Sequence, residues 1–226
     1  MMVFDLDRFK SEHVLGIIRG VKLDSLQGVV DASLAGGLRF LEITLNTPNS
    51  TRLIENITSK YSPEQLTIGA GTVLTVDDAQ RAYDAGAQFI VAPDFNESVA
   101  MFCADHQLAY FPGALTPTEI CRAWEAGATM VKVFPASHMG SSYFKVIKGP
   151  LEKVKLMAVG GVKPANISQY LAAGADAVAL GGSIFTLDRM EKKQFSEIQK
   201  EIEEFMFEVK NFYSKIPPIS LANHPR

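Results

Sequence analysis

Four helical stretches of this chain end alike, in Ala35-Gly36-Gly37, Ala85-Gly86-Ala87, Ala126-Gly127-Ala128 and Ala173-Gly174-Ala175. Each is followed within a few residues by a short apolar run. Glycine just past a helix supplies the left-handed residue that ends it, so one helix-to-strand turn is being reused. Eight apolar runs read as strands: 14–18, 40–45, 66–70, 89–92, 109–111, 130–134, 156–159 and 177–180. Helical spacing predicts helices over about 4–13, 24–35, 50–59, 76–85, 97–105, 116–126, 143–148, 166–173 and 194–213. In the first of these, Phe4, Leu6 and Phe9 share one side. Thr116, Pro117 and Glu119 make a capping-box start. Eight strands alternating with helices is the number that closes a (β/α)8 TIM barrel, here with an added N-terminal helix. Ala-Gly pairs also end helices in open doubly wound sheets, which remain the alternative. No Gly-x-Gly-x-x-Gly follows the first run, which weighs against it. Residues 1–215 are expected to form one barrel domain. The 216–226 tail, with Pro217, Pro218 and Pro225, is expected to be irregular.

Composition narrows the function. At 226 residues and 47% hydrophobic content the chain can bury a sizeable core. A net charge of −3 and the absence of a basic run argue against a nucleic-acid partner. Cys103 and Cys121 have neither metal nor redox spacing and read as small core residues. Residues 1–20 lack the pattern of a targeting segment, and no apolar run reaches 18 residues. The expectation is a cytoplasmic protein with no membrane partner.

Polar residues inside the apolar runs mark the chemistry. The run Met130-Val131-Lys132-Val133-Phe134 reads as a strand covered on both faces, yet Lys132 carries an amine. Desolvating an ammonium without a partner is costly. Lys132 is therefore a lysine whose head escapes at the strand end, one held in an ion pair, or a partly neutral nucleophile. Glu42 breaks the second run in the same way and shares a strand face with Thr44, as Met130, Lys132 and Phe134 share theirs. Barrel sites lie at the C-terminal strand ends, which here offer Arg19, Glu42, Thr72, Pro93, Lys132 and two glycine clusters. A structural ion pair between Glu42 and Lys132 is the alternative to catalysis. Gly160-Gly161 and Gly181-Gly182-Ser183 follow the last two runs, where barrels commonly bind phosphate. His13, His106, His138 and His224 are scattered, so no metal site is expected, and no Gly-x-Ser-x-Gly elbow exists. Covalent amine catalysis remains, with Lys132 attacking a ketone and Glu42 moving protons.

Six motifs carry a resemblance to a known family. They are Leu41-Glu42-Ile43-Thr44-Leu45, Gly69-Ala70-Gly71-Thr72-Val73, Phe111-Pro112-Gly113 with Thr116-Pro117-Thr118-Glu119, Lys132-Val133-Phe134-Pro135, Gly160-Gly161-Val162 and Gly181-Gly182-Ser183. In this order and spacing, over residues 14–186, the chain resembles the 2-keto-3-deoxy-6-phosphogluconate (KDPG) / 4-hydroxy-2-oxoglutarate (KHG) aldolases. The resemblance implies a class I aldolase, a homotrimer, with no cofactor and no metal because the imine on the lysine does the work. It implies Lys132 as the Schiff-base lysine and Glu42 as general acid/base. Arg19 and Thr72 would meet the carboxylate of a pyruvate-derived end, Pro93 and Phe134 would shape the pocket, and Gly160, Gly161, Gly182 and Ser183 would hold the phosphate of a sugar acid. The implied products are pyruvate and glyceraldehyde 3-phosphate or, from hydroxyoxoglutarate, glyoxylate.

Two positions bear on the substrate. Asn46 stands where several gluconate-type members carry arginine, and Val159 where they usually carry threonine. Both are more similar to members acting on the C4-epimeric galactonate compound. Two other functions fit the residues: a metal-independent phosphosugar isomerase or epimerase using Glu42 and Lys132 for proton transfer, and a non-catalytic phosphosugar-binding barrel.

Overall fold

Parallel strands in the order β5-β4-β3-β2-β1-β9-β8-β7-β6 make up the sheet of this protein, which a computed structural model describes over residues 4–215. The tail expected at 216–226 lies outside the described residues. In chain order the elements are α1 (Leu6–Glu12), β1 (Val14–Ile18), α2 (Leu23–Ala35), β2 (Phe40–Thr44), α3 (Ser50–Thr58), β3 (Thr67–Gly71), α4 (Val76–Asp84), β4 (Phe89–Val91), α5 (Glu97–Asp105), β5 (Ala109–Phe111), β6 (Gly113–Ala114), α6 (Pro117–Glu125), β7 (Val131–Val133), α7 (Ala136–Met139), α8 (Ser141–Lys148), β8 (Leu156–Ala158), α9 (Ile167–Ala172), β9 (Ala177–Leu180), α10 (Leu187–Glu191) and α11 (Phe195–Ser214).

The nine strands fill eight positions in the barrel. β5 and β6 are separated by Pro112 alone, which has no N–H to give to a ladder. β5 pairs with β4, and β6 pairs with β7. Lys132 N–H donates to Pro112 O at 2.8 Å and Thr129 N–H to Tyr110 O at 2.8 Å, so this bent strand closes the ring. The expected TIM barrel is the observed fold.

Strand alternation sorts the side chains into two cores. Leu41, Ile43, Val131, Val133 and Val178 point outward and pack under the helices. Leu15, Phe40, Phe89, Phe111, Met130, Met157, Val159, Ala177 and Ala179 point into the barrel. Phe4 and Phe9, on the segment entering α1 and on α1 itself, cover the N-terminal end of the barrel. Their rings pack on Phe40, Phe89 and Phe111 with centroids 5.0–5.6 Å apart. A buried Phe side chain contributes about 1.5–3 kcal/mol, so this aromatic plug is a substantial reason for the N-terminal helix to dock where it does.

Local departures from expectation have physical causes. The third strand starts at Thr67 because Leu66 N–H is taken by Ser62 O at 3.0 Å in the preceding turn. α7 and α10 arise in stretches without a helical apolar period. The expected start at Thr116 is present: its hydroxyl accepts from Glu119 N–H, and the Glu119 carboxylate accepts from Thr116 N–H at 2.8 Å. Such a cap is worth about 1 kcal/mol. Among the described residues no helix is long and apolar enough to cross a membrane.

Candidate active site

The alternation that places Phe40 in the plug places Glu42 one layer higher in the barrel and Thr44 above it. The same step carries Met130 to Lys132. Both charged groups are almost fully enclosed, Glu42 at 1% exposure and Lys132 at 6%. On β1, Leu15 and Ile17 face inward, Ile17 lies in register with Glu42, and the next inward position is Arg19 at the barrel mouth.

The two buried groups tune each other. Burial raises the Glu42 carboxyl to about 7, against the pull of Lys132 and Arg19. Burial lowers the Lys132 amine, against the attraction of Glu42 and with the repulsion of Arg19. Glu42 Oε2 has no hydrogen-bond partner among the described residues. Gly71 leaves room for that carboxyl group, since a Cβ there would collide with Glu42 Oε1. The Lys132 Nζ lies 5.1 Å from the Phe134 ring centroid. Burial gives this amine a larger neutral, nucleophilic fraction than an exposed lysine has, and a carboxyl near 7 can both take and return a proton.

A cavity of about 350 Å³ opens at the barrel mouth, and the enclosed Glu42 and Lys132 are not among its lining residues. Arg19, Phe134, Val159, Gly160, Gly161, Gly182 and Ser183 line it, so seven residues singled out from sequence meet at one place. Phe134 lies past the end of β7 and is 40% exposed, at the cavity rather than within the strand as expected. Thr72 and Pro93 are half-buried at the ends of β3 and β4 and do not line this cavity. Thr72 takes φ +58, and Pro93 packs its carbonyl against Gly113. Asn46 is exposed just beyond β2.

The glycine turns are held from behind. Gly160 and Gly161 take φ +93 and +79, left-handed values that side chains adopt only under strain. Asn166 Nδ2–H donates to Gly161 O at 3.0 Å, while its Oδ1 accepts from Lys163 N–H at 2.8 Å. The 182–184 turn is tied by Arg189 Nη1–H donating to Ser183 O at 3.1 Å and Ile184 O at 3.3 Å. A Cβ on Gly182 would meet nothing within 4 Å, so this backbone faces open space. Sequence reasoning missed Lys163, which also lines the cavity. Its position two residues after the glycine pair was the available signal.

A larger cavity, about 700 Å³, lies beside His13, Thr129, Asp176 and Tyr213 at the N-terminal end of the barrel. Its lysines Lys148 and Lys155 are already paired with Asp176 at 2.7 and 3.0 Å. The glycine-lined cavity at the C-terminal strand ends lies at the opposite face. Among the described residues no group of three or more His, Cys, Asp or Glu side chains is placed to hold a metal.

Comparison with known proteins agrees with this geometry. The family described as KDPG and KHG aldolase matches residues 6–201. The chain belongs to the KDPG/KHG aldolase family. A KDPG/KHG-family aldolase is a carbon–carbon lyase, and the enclosed Lys132 is the kind of amine a Schiff-base member needs. One relative, the probable 2-dehydro-3-deoxy-6-phosphogalactonate aldolase of Rhizobium meliloti (strain 1021), is 38% identical over 76% of this chain and 81% of its own length. A solved structure described as native KDPGal superposes with a TM-score of 0.84 at 30% identity, covering 89% of this chain and 96% of that one. The KDPG aldolase of Legionella pneumophila, solved with pyruvate captured as a covalent carbinolamine, gives 0.80 at 26% identity over 86% and 94%.

Proposed function

We propose that Lys132 and Glu42 carry the aldolase reaction of this chain, cleaving a 2-keto-3-deoxy-6-phospho sugar acid reversibly to pyruvate and glyceraldehyde 3-phosphate. The observation that carries this reading is an enclosed amine with lowered proton affinity sharing the barrel interior with a carboxyl near 7. The neutral Lys132 amine adds to the C2 ketone, and protonated Glu42 gives its proton to the departing hydroxyl, so that water leaves, a protonated imine forms and Glu42 is left as a carboxylate. Glu42 takes the C4 hydroxyl proton as the C3–C4 electron pair moves toward the imine nitrogen. The aldehyde departs and an enamine remains. Glu42 returns its proton to C3, and addition of water to the imine releases pyruvate and the free amine, the proton set free going back to Glu42.

The remaining residues have supporting roles in the same proposal. Arg19 faces the mouth near Glu42 and pairs with the carboxylate, with Thr72 on the same end. Phe134 shapes the wall, Pro93 acts from outside the cavity by packing on Gly113 beside Lys132, and the backbone N–H groups around Gly160, Gly161, Gly182 and Ser183, with the Ser183 hydroxyl, take the phosphate. Val159 and Asn46 favour acceptance of the galactonate-type epimer, in keeping with the name borne by the Rhizobium meliloti relative. Turnover through the lysine requires no metal. A homotrimer belongs to this proposal on the strength of the family resemblance, and a cytoplasmic location on the sequence expectation alone.

Pyruvate release from each phosphorylated epimer tests the reading. Native protein should turn over, Lys132→Ala should lose activity entirely, and Glu42→Gln should retain substrate binding while losing orders of magnitude in kcat. Full activity in Lys132→Ala would contradict it.

A further inference from the structure

Two cations, Arg19 and Lys163, line the mouth cavity, and no carboxylate is among its lining residues. Among the described residues neither side chain forms an ion pair, whereas Lys22, Lys148, Lys155, Arg189 and Lys192 each have a carboxylate partner. Two unpaired positive charges at one cavity suit a ligand that is anionic at both ends. The charges are not equivalent. Arg19 acts on Glu42 and Lys132 electrostatically, which puts it at the reacting end. Lys163 stands on the glycine side, and its backbone is fixed by the Asn166 clamp that also holds Gly161.

The geometry points to Lys163 as a specificity-determining residue that selects phosphorylated over unphosphorylated substrates. This rests on the aldolase reading for the identity of the substrate. A lysine is a mobile point charge on a long stem, suited to a phosphate dianion approaching a backbone cradle rather than to bidentate recognition of a carboxylate. Backbone N–H groups supply geometry at the glycine turns, and Lys163 supplies the net charge that they lack. Because it is exposed, its contribution is screened by salt. A solvated lysine that merely happens to border the cavity would show neither selectivity nor this screening.

Three proteins decide the matter: native, Lys163→Gln and Lys163→Arg. The first measurement titrates inorganic phosphate at low ionic strength, and the second compares kcat/KM for a 6-phospho sugar acid and its unphosphorylated counterpart. Losing one charge-assisted contact should weaken phosphate binding about tenfold and lower the phosphorylated-to-unphosphorylated ratio about tenfold, chiefly through KM. Lys163→Arg should restore most of both, and added salt should shrink the difference. Unchanged phosphate affinity, or an equal loss on both substrates, would overturn the inference. Covalent trapping of pyruvate on Lys132 is scored separately. Its failure would remove the aldolase reading while the phosphate titration still judged Lys163.

Discussion

Glu42 and Lys132 share the enclosed interior of the barrel without forming an ion pair, and each shifts the other's proton affinity across that space. A closed ion pair would have pinned both charges and left the amine protonated. Burial, only partly offset by their mutual attraction, leaves Glu42 near 7 and Lys132 lowered, so a proton can be held on either side during a reaction cycle.

The pH dependence of stability follows from Glu42. Its folded value of about 7 exceeds the ordinary 4.5, so ionisation is harder in the folded protein. Below 4.5 both states are protonated and nothing is lost. As pH rises toward 7 the unfolded chain ionises first, and the folded state loses stability, levelling off above 7 at about 3 kcal/mol in all. Glu42→Gln removes this titration. Denaturant melts across that pH span should therefore show the variant gaining on the native protein. A constant difference at every pH would contradict the assignment.

The glycine end should separate binding from chemistry. Ser183→Ala combined with Gly161→Ala removes a hydroxyl and forces a side chain onto a residue at φ +79 facing Ser137. KM for phosphorylated substrate should rise by roughly one to two decades, the worth of a charge-assisted hydrogen bond, with a far smaller effect on a short unphosphorylated substrate. Equal losses on both would make the turns purely structural.

Most of this site could be read from sequence because charge inside an apolar run is a conspicuous anomaly. Glu42 and Lys132 stood out on that ground, and alternation correctly put both inside the barrel. The reused Ala-Gly helix ends revealed the repeat and hence the barrel. Lys163 did not stand out, because an exposed lysine in a polar turn is the commonest surface feature and only folding brings it to the same cavity as Arg19. Phe4 and Phe9 read as one face of a helix, but nothing local says that this face covers a barrel end. The break at Pro112 was legible as a strand end. That the chain continues into β6 and closes the ring depends on partners distant in sequence.

Substrate configuration should turn on Val159, which lines the cavity and is buried. Valine offers the C4 hydroxyl no hydrogen bond, so the native protein should cleave both epimers, the galactonate form at least comparably. Val159→Thr keeps the shape and adds a hydroxyl. It should shift kcat/KM toward the gluconate epimer by about a decade, the low end of the worth of a buried hydrogen bond. A native protein that already prefers gluconate a hundredfold would place the selection elsewhere, with Asn46 the next candidate.

Metal removal should leave activity intact. In the proposed mechanism the protonated imine on Lys132 is itself the electron sink for C3–C4 cleavage, so no Lewis acid is required. Pyruvate release after exhaustive chelation should match the untreated rate. Loss of turnover that zinc or magnesium restores would contradict this mechanism.

If Lys132 forms an imine with a 2-keto acid, borohydride in the presence of pyruvate should reduce that imine and fix it to the protein. Only an imine can be reduced onto the protein, so intact-mass and peptide analysis should find one pyruvate-derived adduct, on Lys132, absent without pyruvate and absent from Lys132→Ala. No adduct on the native protein, or one that persists in Lys132→Ala, would contradict it.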